Sequence, residues 1–172
     1  MLRFGFVCCT VLLCFSFSFR ITYASANNHY LLELQQQAKQ QQLSSERVWR
    51  LLLKYNKKTF GGVVSEADGM DFFNSPTGKT DPESELAATL ASFFVPIEQL
   101  ADGKEHPQCN FPARFKWLSR QLQFDPHRIQ IQHCDRLNRW MTTLDPVGVT
   151  LVFASYFLNN PASMFGHTLI RI

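Results

Sequence analysis

The sequence predicts an α+β chain, with a helical region over 27–145 followed from 146 by the first strands of a β-rich domain. Three observations carry that division. Between Glu46 and Leu144 the apolar residues recur at helical spacing, three and four apart. After Asp145-Pro146 they become a continuous branched run, Val147-Gly-Val-Thr-Leu-Val-Phe153. A second β-prone run, opening at Gly166-His167, follows a polar turn at Asn159-Asn160-Pro161.

The N-terminus stands apart from both regions. Arg3 precedes an apolar run from Phe4 to Phe19, and Ala24 and Ala26 supply the small residues of an A-x-A site. That order predicts a secretory signal peptide over 1–26, cleaved after Ala26. The run is 16 residues (Phe4 to Phe19), short of the ~20 a membrane-spanning helix needs. A lipidation signal is disfavoured, because the residues before Cys14 are Leu12-Leu13 rather than small ones.

Charge reads differently once 1–26 is removed. The formal net charge of +3 includes Arg3 and Arg20, so 17 − 2 = 15 bases face 14 acids in the remainder. That balance, without a basic stripe or a run of like charges, argues against a nucleic-acid partner. The remaining 172 − 26 = 146 residues suffice for one real core, or for a small helical domain plus part of another.

Along the helical region, Asn27 to Leu43 is glutamine-rich and reads as a polar helix or a loose leader. Ser44-Ser45 cap a helix over Glu46–Lys54, with Val48, Leu51 and Leu52 on one face. Gly61-Gly62 breaks the chain, and Phe72-Phe73-Asn-Ser-Pro-Thr-Gly78 is an aromatic turn. Thr80-Asp-Pro-Glu83 has capping-box spacing, and Leu86, Leu90, Phe93 and Phe94 continue it as a core-facing stripe that Pro96 ends. A polar linker, Ala101 to Pro107, leads to a helix with Pro112 in its first turn and Phe115, Leu118 and Leu122 on one face. A further helix, Cys134 to Leu144, turns Leu137, Trp140, Met141 and Leu144 inward. Arg114 reads as a solvated or ion-paired surface group, and the strand over 147–153 as buried on both faces.

Cys8, Cys9 and Cys14 leave with the signal peptide; Cys109 and Cys134 remain. Two cysteines in an exported chain predict a disulfide, Cys109–Cys134, closing a loop of 26 residues. Such a loop is worth roughly 3 kcal/mol on the chain-entropy estimate. A free nucleophilic thiol is the weaker reading. Zinc is weaker again: His106, His127 and His133 lie nearby, but no C-x-x-C or H-x-x-x-H spacing appears. No cofactor is expected.

His167 is the candidate catalytic residue. Gly166 permits close backbone approach, Asn159 and Asn160 offer side-chain amides, and Ser163 stands four residues before it, primarily as a turn former.

The run Val149 to Ile172, with its Pro161-Ala-Ser-Met-Phe-Gly-His-Thr168 core, resembles the opening of the Lnb N-terminal periplasmic domain. Phe73 to Glu83, Cys109 to Leu118 and Cys134 to Leu137 resemble the helical region that precedes this domain in Gram-negative members. The resemblance implies a circularly permuted papain-like (NlpC-type) fold, of which 146–172 would be the first, incomplete part. It also implies lipoprotein intramolecular transacylation, with a cysteine nucleophile and His167 as base. The family's cysteine lies far downstream, in a Glu-Asn-Cys-Ser-like segment that this chain does not reach. The chain is therefore expected to be a fragment or truncated product, inert alone. The partners implied are membrane lipoproteins or other envelope substrates, with membrane association through the part not reached. The location implied is the periplasm or cell envelope of a Gram-negative bacterium. Two other readings stay open: a non-enzymatic envelope binding or scaffold module, and attack by Cys109 or Cys134 with His167 as base.

Overall fold

The structure is a computed structural model that describes residues 28–153 and 168–171. The expected signal peptide, 1–26, lies outside the described residues. By contacts the chain divides at Gln132/His133 into two units, and helices with small strands make it α+β.

In the first unit, α1 is described over 28–40. Tyr30, Leu34 and Ala38 recur every four residues along it, and all three are buried. The glutamine-rich leader is thus a helix with a narrow apolar stripe. A 3-10 turn, Leu43–Ser45, leads to α2, Arg47–Leu52. Here the expected face is corrected. Trp49 and Leu53 are fully buried, whereas Val48 and Leu51 are exposed. The indole decides the orientation: it removes more apolar surface from water than the aliphatic side chains beside it. It also stacks on Trp117 at 5.8 Å and donates from Nε1 to the Pro82 carbonyl at 3.1 Å.

Strands β1, Tyr55–Lys57, and β2, Val63–Ser65, pair antiparallel with Tyr55 opposite Ser65. Gly61 and Gly62 do not merely break the chain. Their left-handed φ values of 93° and 78° turn it back on itself as a hairpin.

Helix α3 runs Pro82–Ser92. Its cap is Asp81 rather than the expected Thr80: Asp81 Oδ1 accepts from Glu83 N at 3.1 Å and Ser84 N at 3.0 Å. Pro82 explains the shift, since the residue before a proline is held extended, as an N-cap must be. Glu83, freed from the box, pairs with Lys39 at 3.1 Å. The stripe of Leu86, Leu90 and Phe93 is buried as expected, with Phe94 partly so. After a short α4, Pro107–Asn110, helix α5, Pro112–Gln121, buries Leu118, and Leu122 is buried just beyond its end. These side chains, with Tyr30, Leu34, Trp49 and Ile129, form one core.

In the second unit, α6 spans Asp135–Leu144, and β3, Thr150–Phe153, pairs antiparallel with β4, Thr168–Arg171. The register sets Thr150 opposite Arg171 and Phe153 opposite Thr168. Two expectations are corrected here. Trp140 and Met141 are exposed, with Leu137 and Leu144 only part-covered. Val147 (97%), Val149, Leu151 and Val152 are also exposed rather than buried on both faces. A ribbon of two described strands presents two faces, and burying both requires a further layer on each.

Candidate functional site

His167, the candidate base, lies outside the described residues, with Asn159, Asn160, Pro161, Ser163 and Gly166. What is described is its flank. Strand β4 begins at the next residue, Thr168, whose partner on β3 is Phe153.

The two described cysteines, Cys109 and Cys134, are both disulfide-bonded. A disulfide sulfur carries no thiolate, so the reading in which either attacks with His167 as base is withdrawn. An oxidised pair accords with an exported chain.

The most concentrated polar chemistry in the first unit surrounds Glu85, on α3. Its carboxylate is fully buried. Asn74 N–H donates to both oxygens at 3.0 Å, and Ser75 N–H donates to Oε2 at 2.8 Å. Thr89 Oγ1 donates to Oε1 at 3.2 Å, and Arg114 Nη1 donates to Oε1 at 3.0 Å. Arg114, on α5, is itself buried, which corrects its reading as a surface group. Its Nη2 donates to the Phe72 carbonyl at 2.7 Å, and its guanidinium lies 4.6 Å from the Phe72 ring centre and 4.2 Å from that of Phe111. Burial pushes its pKa below the usual arginine value, and the Glu85 charge pulls it back up.

Gly78 closes the same loop, because a Cβ there would run into Glu85 Oε2. Tyr55 donates its hydroxyl to the Gly78 carbonyl, and burial raises its pKa, with the Glu85 charge adding to the effect. The aromatic turn over 72–78 is thereby bolted to α3 and α5. Both Glu85 oxygens accept from protein donors, and Arg114 spends an N–H from each of its two terminal nitrogens on Glu85 and on the Phe72 carbonyl, so the cluster braces the turn.

His106 is equally committed. Its Nδ1 accepts from Gln108 N at 3.1 Å, capping α4, which leaves Nε2–H to donate to the Val95 carbonyl at 2.9 Å. Burial lowers its pKa, against an opposing pull from the Val95 bond, so the ring is held neutral. Gln108 donates to the carbonyls of Phe93 and Gln130 and accepts from Gln132 N, tying the end of α3 to segment 130–132.

A groove of about 420 Å³ lies between α1 and α3. Leu32, Ala38, Leu86 and Ala87 give it an apolar floor, with the Lys39–Glu83 pair at its edge. Its volume suits a small ligand, but no buried titratable group faces it. Among the described residues no group of three His, Cys, Asp or Glu could hold a metal ion. No helix among them is long and apolar enough to cross a membrane.

Sequence reasoning missed the buried pair: Glu85 and Thr89 lie four apart on α3, but only the structure shows that both are buried and that Arg114 reaches Glu85 from α5.

Comparison with known families places two models on the chain. Residues 41–121 match a domain of unknown function, DUF7843, and residues 136–172 match the Lnb N-terminal periplasmic domain. Neither the curated proteins nor the solved structures contain a match to this chain.

Proposed function

We propose that this chain, whose residues 136–172 match the Lnb N-terminal periplasmic domain, is part of an exported Cys–His acyltransferase or hydrolase. His167 is its general base, within a permuted papain-like domain that 146–172 begins. The single observation that carries this reading is the family match spanning the Gly166-His167 motif. Neither described cysteine is a free thiol, so in this reading the nucleophile is not Cys109 or Cys134.

The chemistry suits acyl transfer from the diacylglyceryl group of an envelope lipoprotein. His167 takes the thiol proton, and the sulfur attacks the ester carbonyl. The ester C–O bond breaks, and the imidazolium returns the proton to the leaving alkoxide, giving a lyso product and a thioester. The lipoprotein's N-terminal amine then attacks the thioester. The C–S bond breaks, and the amine proton passes through His167 to the thiolate. A histidine can serve twice because an unperturbed imidazole titrates near neutrality, and an imidazolium beside a thiol lowers the thiol pKa below ~8.5.

The test expresses the intact gene product and its His167→Ala variant, with mass spectrometry of lipoprotein N-termini as readout. Loss of N-acylated, lyso-form products in the variant supports the reading, and unchanged products overturn it. A second reading, a non-enzymatic envelope binding or scaffold module, draws on the helical unit, where Glu85, Arg114 and His106 are all spent on structure. It expects His167→Ala to retain the cellular role in full.

A further inference from the structure

We infer that the β1–β2 hairpin is a contact point for an anionic lipid surface, with Phe60 entering the interface and Lys57 and Lys58 meeting lipid phosphates. The inference is independent of His167 and of acyl transfer.

The hairpin has a fixed base and a bare tip. At the base Tyr55 is buried and bonded to the Gly78 carbonyl, while Ser65 donates from Oγ to Leu53 O at 2.6 Å and from N to Lys79 O at 2.8 Å. At the tip Lys58 N bonds Gly62 O at 3.1 Å and Gly61 N bonds Lys58 O at 3.2 Å, closing the turn around Phe60. Phe60 is 102% exposed, more than any other large apolar side chain described. A single exposed phenyl ring is ordinary on a protein surface; beside two exposed lysines at the tip of a hairpin it has the make-up of an interfacial anchor.

Charge specifies the medium. From Arg47 to Ser65 the chain carries five bases, Arg47, Arg50, Lys54, Lys57 and Lys58, and no acid. The remainder holds 17 − 5 = 12 bases against 14 acids, so the formal positive charge is concentrated here. Only Lys57 and Lys58 among these bases are consecutive, so the cluster forms no long run of like charge. Lys57 and Lys58 form no ion pair among the described residues, and the nearest acid in sequence, Glu66, accepts from Asn56 Nδ2 at 2.5 Å. Lysines beside an exposed aromatic are the combination that seats a segment at a negatively charged membrane surface.

The experiment compares the full chain with its Phe60→Trp variant on phosphatidylglycerol–phosphatidylcholine vesicles carrying brominated acyl chains. The introduced indole is expected to blue-shift and to be quenched beyond the wild-type background. That readout is local to the hairpin, so vesicle binding by the apolar run at Phe4–Phe19 does not mimic it. Lys57→Gln/Lys58→Gln, made in the Phe60→Trp chain, is expected to weaken this response about 30-fold in vesicle concentration, at about 1 kcal/mol per lysine. Phosphatidylcholine vesicles alone should give little response. Absence of added quenching in Phe60→Trp, or equal response with phosphatidylcholine alone, overturns the inference. So does a full fluorescence response to soluble polyphosphate, which would make the lysines an anion site without a membrane. Unchanged circular dichroism, expected for side chains this exposed, establishes that the variants are folded.

Discussion

Removing Arg114 while keeping Glu85 would strand a carboxylate in a fully buried site, and the cost follows from what surrounds it. Arg114→Met deletes the 3.0 Å bond to Glu85 and the 2.7 Å bond to the Phe72 carbonyl. It also deletes two cation–π contacts. Breaking a buried pair from one side costs about 3–5 kcal/mol. Glu85→Gln strands the guanidinium instead and turns an amide N–H₂ toward one of the backbone donors now bonded to the carboxylate. Its cost should be similar. The double variant removes both charges together, so it should be less destabilised than the sum of the singles by about 2 kcal/mol or more. Urea denaturation followed by circular dichroism measures all three. At about 4–8 °C per kcal/mol for a domain of this size, either single variant should melt at least ~12 °C below the parent. Additivity within ~0.5 kcal/mol would refute the coupling and show that the carboxylate is held by its backbone donors alone.

Other expectations test neighbouring parts. Asp81→Ala should cost about 1 kcal/mol and Thr80→Ala far less, because the cap of α3 is Asp81; equal losses in thermal melts would restore the capping box. His106 has a folded pKa below its ordinary 6.5, so the unfolded chain binds its proton first as pH falls. Stability from its neutral ring is therefore complete above about 6.5 and declines as pH drops from there toward the folded value. A His106→Gln variant whose denaturation midpoint retained the same pH slope in that window would contradict the assignment. Opening the bridge by Cys109→Ser or Cys134→Ser should each cost roughly 3 kcal/mol, with the double variant no worse than the costlier single. Alkylation of the parent protein should require prior reduction.

The sequence was most legible where one periodicity dominates. The α3 stripe and the Leu118–Leu122 face of α5 read directly, because aliphatic residues three and four apart admit one buried face. The face of α2 misled, since counting leucines weighs Val48 and Leu51 as heavily as Trp49, whose larger surface sets the helix's rotation. In α1 an aromatic and an alanine complete a stripe that glutamines conceal. Arg114 was opaque because its partner, Glu85, is 29 residues away, and no local pattern reports a long-range ion pair. The β1–β2 hairpin was half visible: the glycines marked the turn, but strands of three residues are too short for alternation to register. Of the candidate site, the residue types were legible and the disulfide-bonded state of Cys109 and Cys134 followed from their number. His167 itself lies outside the described residues, and local pattern names no partner for it.

The most direct measurement of the proposed mechanism is a crystal structure of the intact gene product, read at one distance, from the His167 imidazole to the nearest cysteine sulfur. The account predicts a reduced thiol within about 4 Å of a ring nitrogen, at the mouth of a cleft open to substrate. An imidazole enclosed among backbone carbonyls, with every cysteine beyond reach or oxidised, would contradict it.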